Sequence, residues 1–410
     1  MANQQKYDAI VIGASTAAVS RLCPVLAQAG WKTALIEREH VGGTCVNVGC
    51  MPTKTMVASA RVAYLARRAA DYGVSTAPVT VDMARVRQRK QDVVSGFRGF
   101  DEGLIEKAEG VDLFRGEASF TGPKSVDVRL NDGGIQQLTA DTIVIDTGAR
   151  PRRPSIPGLE SVSTLDSTSI MELDTLPEHL LILGGGYIGV EFSQMFRRFG
   201  SRVTMIQSGQ QLLAREDPDV AEEVTNILRE DGIDVLLKAN TTKAERTTDG
   251  RIQLTVNTSG KEGRMLTGSH LLMATGRVPS TERLNLKAAG IKTDEKGAIQ
   301  VSERLETSVP GVYAIGDVKG EPAFTHVAYH DQYVLRTNLL AGGNASTQGR
   351  VVALHRLHRS ATGSGGADRD GGPSPRAQYS SRETSHGDGA QSDRCGRDQR
   401  LYEGYRGEGD

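Results

Sequence analysis

Two cysteines, Cys45 and Cys50, stand five apart in the stretch Gly42-Gly43-Thr44-Cys45-Val46-Asn47-Val48-Gly49-Cys50-Met51-Pro52-Thr53-Lys54. The chemistry open to such a pair is reversible dithiol–disulfide exchange. Positions five apart on a regular helix point more than a quarter turn away from each other, but a distorted first turn brings the sulfurs together. The free N–H groups of a helix N-terminus also stabilise a thiolate. The alternative is two buried structural cysteines. The chain has only Cys23, Cys45, Cys50 and Cys395, so two in one glycine-rich loop favour the redox reading. A zinc site would need more ligands, and no Cys or His cluster lies near enough in sequence to supply them.

Just before the dithiol lies an element suited to a nucleotide. Tyr7 to Ile12 is a short apolar strand, followed by Gly13-Ala14-Ser15-Thr16-Ala17-Ala18, a helix-compatible segment to Gly30, and a strand Lys32 to Glu37 that ends on an acid. In this strand–loop–helix–strand pattern Gly13 allows the tight turn, helix N–H groups meet a pyrophosphate, and Glu37 binds ribose hydroxyls. Two residues depart from it. Ser15 holds the second glycine position and adds a Cβ where the phosphate should sit. Pro24 falls within the helix and is expected to kink it or remove a hydrogen bond. Ala18 at the third position is an accepted substitute.

A second unit is more regular. Leu180 to Leu183 is the strand, Gly184-Gly185-Gly186-Tyr187-Ile188-Gly189 the loop, Val190 to Phe199 the helix, and Ser201 to Ile206 the next strand. Two such units in one chain imply two dinucleotides. Gly184, Gly186, Ile188, Gly189 and Gln207 are the expected contacts of the second. An acid at the end of its second strand favours NADH and an arginine favours NADPH. Here the chain has Gln207-Ser208, which does not repel a phosphate, with Arg202 and Arg215 as candidate phosphate partners. NADPH is the expected donor and NADH the alternative.

The remaining segments frame these units. Thr53 to about Asp71 reads as a long helix carrying both cysteines. Val81 to Ala108 reads as a solvated helix. A β-rich section runs from Leu113-Phe114-Arg115-Gly116-Glu117-Ala118-Ser119-Phe120 to Asp141-Thr142-Ile143-Val144-Ile145-Asp146-Thr147-Gly148-Ala149-Arg150. Leu271 to Pro279 returns the chain through Gly276 and Arg277, and Gly311-Val312-Tyr313-Ala314-Ile315-Gly316-Asp317-Val318 is a strand ending in Gly-Asp.

The dithiol stretch closely resembles the active-site segment of the flavin-dependent disulfide reductases, which include glutathione reductase, dihydrolipoyl dehydrogenase and mercuric reductase. The resemblance runs from about Tyr7 to Val352, with several motifs in the family's order. It implies a glutathione-reductase-like α/β fold with two Rossmann-like domains of the three-layer ββα type. FAD would be held by Gly13, Ser15, Ala18, Glu37, Gly43, Thr44, Lys54, Ala118, Thr147, Gly148, Gly276, Arg277 and Asp317. Cys50 would be the flavin-proximal thiolate, Cys45 the interchange thiol, and Glu191 the partner of Lys54 at the flavin. Asp317 would bind the ribityl chain. The segment Pro322-Ala323-Phe324-Thr325-His326-Val327-Ala328-Tyr329 resembles the mercuric-reductase branch, and in this context His326 and His330 read as structural. The implied substrate is Hg(II), which two soft thiolates suit. A dihydrolipoyl dehydrogenase or another disulfide reductase is the alternative.

The 410 residues allow two or three domains, here 1–150 for FAD, 151–275 for NAD(P), and 276–353 completing the FAD domain. A net charge of −1 gives no basic excess for nucleic acid. No apolar run reaches membrane-spanning length, and the N-terminus lacks a signal-peptide core, so a reducing cytoplasm is the expected location. From Leu354 to Asp410 there is no Val, Ile, Phe, Met or Trp. Such a tail is expected to be disordered. Read one nucleotide out of frame, synonymous codons for it spell a family-like dimerisation domain, so residues 354–410 read as the product of a frameshift near Ala353. The intact family member is expected to be a homodimer; for this chain a third reading is an inactive FAD- and NAD(P)H-binding remnant.

Overall fold

The computed structural model describes residues 4–258 and 261–350. The expectations for residues 354–410 lie outside the described residues. The first sheet contains β1 (Gln5–Ile12), β2 (Thr33–Glu37), β3 (Val111–Gly122), β4 (Ser125–Leu130) and β5 (Ile135–Ile145), and the strand Val312–Ala314. Its parallel part runs β3-β2-β1-β5 and ends on Val312–Ala314. β4 pairs antiparallel with the outer halves of β3 and β5. Ala9, Ile10, Val11 and Ile12 are all buried, which explains an apolar run without alternation: a central parallel strand is covered on both faces.

The second parallel sheet has the order His270–Met273, His179–Leu183, Arg202–Ile206, Asp234–Leu236. Its helices Tyr187–Phe199 and Pro218–Glu230 pack through Phe192, Phe196, Phe199, Val224 and Leu228. A three-stranded antiparallel sheet, Asn240–Arg246, Ile252–Thr258 and Lys261–Gly268, flanks it. The two strands that carry the chain between the sheets, Ala149–Pro151 and Arg277–Pro279, pair with each other.

Each parallel sheet has one place where the strand order reverses. In the first it lies between β1 and β5, with Ile12 opposite Ile145. In the second it lies between Leu183 and Met273. Ligands bind outside the carboxyl ends of strands at such points. Both glycine loops begin there.

Two expectations need revision and a third is made specific. The long helix spans Cys50–Arg67 and carries only Cys50; Cys45 lies in a separate short helix, Gly43–Asn47. The helix Met83–Glu106 is not merely solvated, because Met83, Val94 and Ile105 are buried and the enclosed Lys90 ammonium meets Glu172 at 2.5 Å. The expected disturbance at Pro24 takes a specific form, a change of helix type without a break. The preceding residues Ala18–Leu22 widen into a π-helical turn, with Cys23 N–H donating to the Ala18 carbonyl, and α-helix resumes over Cys23–Gln28.

Candidate active site

The dithiol is built by two helices broken at a glycine. Gly42 and Gly43 have φ of +98° and +60°, which turn the chain into the helix Gly43–Asn47. Asn47 locks that turn by donating to the Val41 and Gly43 carbonyls at 2.9 and 3.0 Å. Gly49 then lets the second helix start at Cys50, because a Cβ there would lie 2.7 Å from the Thr44 carbonyl oxygen. The break returns Cys50 to Cys45, so the two thiols interact although a continuous helix would separate them.

Their acidities diverge. The Cys45 S–H donates to Cys50 and pulls the Cys50 thiol down to about 6; the Thr325 hydroxyl and the Lys54 ammonium act in the same direction, against the effect of burial. The Cys45 thiol is pushed up, first by that same hydrogen bond and then by burial. Cys50 is therefore a thiolate at neutral pH and Cys45 its proton-bearing partner. Thr325 Oγ1 lies 3.7 Å from Cys50 Sγ. Lys54 forms an ion pair with Glu191, on the helix Tyr187–Phe199 of the second sheet. His326 stacks on Phe324 with ring centroids 5.4 Å apart, and His330 packs against Tyr333.

The first glycine loop abuts this dithiol. The Gly42 N–H donates to the Ala14 carbonyl at 2.8 Å, and a Cβ on Gly43 would lie 3.0 Å from Ser15 Cα. Gly13 has φ +102°, and a Cβ there would lie 2.3 Å from the Asp146 carbonyl oxygen. Glu37 accepts from Ala14 N–H at 3.0 Å and from Glu39 N–H at 2.8 Å, which fixes a carboxylate beside the loop with acceptor capacity left for ribose hydroxyls. Thr147 and Gly148 are laced to Ser280, by Thr147 Oγ1 to the Ser280 carbonyl and Ser280 N–H to the Gly148 carbonyl, both 2.9 Å. Arg277 and Asp317, both half-buried, attract each other; partial burial makes Arg277 less basic than usual and raises Asp317 against that attraction. Thr44 lies in the first turn after Gly43. The Ala18 and Ala118 methyls belong to the core, so any contact of theirs to a cofactor would be through main chain.

These residues fit FAD. The cradle at Gly13 and Gly43 admits no side chain, Gly148 has open space around its Cα, and a carboxylate stands at the ribose position. The Ser15 side chain, expected to obstruct a phosphate, is turned inward: its hydroxyl donates to the buried Asp146 carboxyl.

In the second loop the glycines have three separate roles. Gly184, at φ +109°, would place a Cβ 2.2 Å from the Ala274 carbonyl oxygen. Gly189 would place one 2.1 Å from the Gly184 carbonyl oxygen, so it sets the approach of helix to strand. Gly186, at the helix N-terminus, faces open space, where a phosphate would approach. Ile188 is part-buried against the core of this unit. Gln207 accepts from Gly185 N–H at 3.0 Å and donates to the Gln211 carbonyl at 3.2 Å. Arg202 is excluded as a phosphate partner of this loop. It begins the strand that Gln207 follows, on the order of 15 Å away along an extended chain. Arg215 pairs with Glu321.

Sequence reasoning missed Thr325 and Asp146. Thr325 sits in a segment whose neighbouring histidines draw attention first. Asp146 had a signal, an acid closing the apolar strand Ile143-Val144-Ile145 directly before Thr-Gly.

A redox dithiol joined to two dinucleotide folds defines a nicotinamide-linked flavoprotein disulfide reductase. The family model described as "Pyridine nucleotide-disulphide oxidoreductase" matches residues 7–331, and the chain belongs to that family. It is 38% identical over 348 residues to the probable pyridine nucleotide-disulfide oxidoreductase RclA of Escherichia coli, covering 84% of this chain and 73% of the relative. It is also 38% identical to a mercuric reductase of Bacillus cereus, over 84% of this chain and 54% of the relative. A dihydrolipoyl dehydrogenase of Chlamydia pneumoniae is 35% identical over 82% of this chain and 70% of its own length. Among solved structures, the Cu(II) complex of the HOCl-induced flavoprotein disulfide reductase RclA from Escherichia coli superposes with a TM-score of 0.76 at 37% identity, covering 84% of this chain and 74% of that one. The chain thus spans between about half and three quarters of the length of these relatives. No helix among the described residues is long and apolar enough to cross a membrane.

Proposed function

We propose that this chain is an NADPH-driven dithiol oxidoreductase whose final acceptor is a thiophilic metal ion, Hg(II) first. The observation that carries this reading is the dithiol geometry: the helix break at Gly49 returns Cys50 to Cys45, beside the Lys54–Glu191 ion pair that joins the two nucleotide-binding units. FAD, when bound, supplies the two-electron link between nicotinamide and dithiol.

The chain's own residues do the rest. Cys50, held as thiolate by Cys45, Thr325 and Lys54, faces the flavin side of the pair. Cys45 keeps its proton and meets substrate. Lys54, fixed by Glu191, places a positive charge at the dithiol. Gly184, Gly186 and Gly189 shape the nicotinamide loop, and neutral Gln207 does not repel a 2′-phosphate. Once Cys45 gives up its proton to solvent on meeting the ion, two soft thiolates suit Hg(II), and the overall balance is NADPH + Hg(II) → NADP+ + H+ + Hg(0). Mercuric reductases and a Cu(II)-binding relative among the similar proteins support a metal acceptor. The intact assembly is proposed to be a homodimer in the cytoplasm.

The test is NADPH oxidation by purified, flavin-loaded protein with Hg(II) or with lipoamide as acceptor. Hg(II)-dependent turnover that is lost in Cys45→Ser and Cys50→Ser supports the proposal. Turnover with lipoamide alone supports the second reading, a dihydrolipoyl dehydrogenase-like enzyme, which the Chlamydia relative favours. Bound FAD without turnover on either supports the remnant.

A further inference from the structure

The two glycine loops begin at equivalent points, which allows them to be compared position by position. Ile12 lies opposite Ile145 in the first sheet, and Leu183 opposite Met273 in the second. Gly13 then meets Asp146, and Gly184 meets Ala274, through Cβ approaches of 2.3 and 2.2 Å to the facing carbonyl oxygens. Two residues further on, the first loop has Ser15 where the second has Gly186. After the facing residue, both segments continue Thr-Gly: Asp146-Thr147-Gly148 and Ala274-Thr275-Gly276. Among the positions at which the first unit differs from the second are two that touch each other, since the Ser15 hydroxyl donates to the Asp146 carboxyl.

We propose that Ser15 and Asp146 are a paired replacement for glycine and alanine, in which Asp146 is a positioning residue that keeps the Ser15 side chain out of the FAD pyrophosphate cradle. The proposal rests on FAD being the ligand of the first loop. Asp146 is 5% exposed, so a hydroxyl directed at it points into the protein. The same Ser15 oxygen lies 3.5 Å from Ala18 N–H and holds the helix start. Without an acceptor at 146, Ser15 is free to rotate outward, toward the space that Gly186 leaves open in the other loop.

The proton on Asp146 matters for the same reason. Burial raises its pKa well above the usual carboxylate range; the Ser15 bond opposes this, and Asp317, Asp331 and Glu37 add to it. These three carboxyls come from the turn Gly316–Lys319, the helix Thr325–Ala341 and β2, and the Cys23 thiol faces Asp146 from the helix Cys23–Gln28. Lys319 and Arg350 are paired with Asp331, at 3.3 and 2.6 Å, and so offset its charge. A neutral Asp146 adds no repulsion to a pyrophosphate, whereas an ionised one does.

The experiment titrates FAD into flavin-free full-length protein and follows flavin fluorescence quenching. Asp146→Ala is expected to weaken FAD binding roughly tenfold, the scale of one misplaced polar group. The same change in a Ser15→Gly background is expected to have no effect, because no side chain at position 15 is left to enter the cradle. Asp146→Asn keeps an acceptor for Ser15 and should bind FAD as wild type does. If Asp146→Ala does not fold, Asp146→Leu compared in the same two backgrounds takes its place. An equal loss from the position-146 change in both backgrounds, no loss in either, or a loss from Asp146→Asn as large as that from Asp146→Ala would overturn the proposal. Failure of wild type to bind FAD at all would instead overturn the functional reading beneath it.

Discussion

Lys54, one turn into the helix that begins at Cys50, forms an ion pair with Glu191 on the first helix of the second nucleotide unit. This contact ties the dithiol helix to the second nucleotide-binding unit. It also places a positive charge near the Cys50 thiolate, where it helps lower that thiol. Both partners are partly exposed, at 42% and 24%, so the pair adds at most about 1 kcal/mol to stability. Its importance is in the chemistry.

Lys54→Met is therefore expected to slow reduction of the dithiol by NADPH roughly 10- to 100-fold, with an unfolding midpoint close to wild type. Glu191→Gln should have a smaller effect in the same direction. Stopped-flow reduction and thermal denaturation on the same samples check this. A large loss of stability with unchanged reduction rate would show that the pair is only structural.

The Cys50 thiol titrates at about 6 because its charged form has donors around it. The sign follows directly: above that value it is thiolate, and as pH falls through about 6 it takes up a proton. Alkylation of the reduced protein by iodoacetamide should therefore be fast at pH 7 and fall below pH 6. Thr325→Val removes one donor and should move that midpoint upward by roughly one unit. Cys45→Ala removes the donor with the largest effect and should raise it too. Mass spectrometry of the alkylated peptide against pH reads both shifts.

Most of the site was legible because glycines and cysteines impose local rules. Gly13, Gly184 and Gly189 occupy positions where any Cβ would strike a carbonyl, and that geometry depends only on a strand meeting a helix. The apolar runs at Ile10 and Leu181 show buried parallel strands for a similar reason. What stayed hidden depended on distant pairing. The inward turn of Ser15 needs Asp146, 131 residues away, and Thr325 reaches Cys50 across 275 residues. Arg202 suggested a phosphate partner only until the strand direction placed it at the wrong end.

Gly186 and Gly189 make opposite predictions. A Cβ on Gly186 meets nothing within 4 Å, so Gly186→Ala should fold normally but fill space at the nucleotide loop, raising the KM for NADPH about tenfold or more. Gly189→Ala would force a Cβ against the Gly184 carbonyl at 2.1 Å and should destabilise the second unit by roughly 2–4 kcal/mol. Steady-state kinetics and urea unfolding separate the two.

Asp101 is buried beside the Gly42 turn, with Oδ2 lacking a hydrogen-bond partner and its carboxyl pushed up to about 6 by burial. Its unfolded value is near 3.8, so the folded state binds its proton more tightly. The cost of burying the charge is absent below about pH 4, grows between about 4 and 6, and is complete above 6. Asp101→Asn should stabilise the protein by roughly 1–3 kcal/mol at pH 7.5 and by little at pH 4. Chemical denaturation at the two pH values checks the sign, and equal effects at both would contradict it.

The most direct measurement is an anaerobic titration of the purified protein with NADPH, followed by visible absorbance. The expected result is a yellow protein in which reduction by one equivalent produces a broad long-wavelength band from the Cys50 thiolate beside the flavin. That band should disappear in Cys50→Ser and as pH falls through about 6. A colourless protein, or one whose yellow colour bleaches without the band, would contradict the claim that Cys45 and Cys50 are connected to the nucleotide sites.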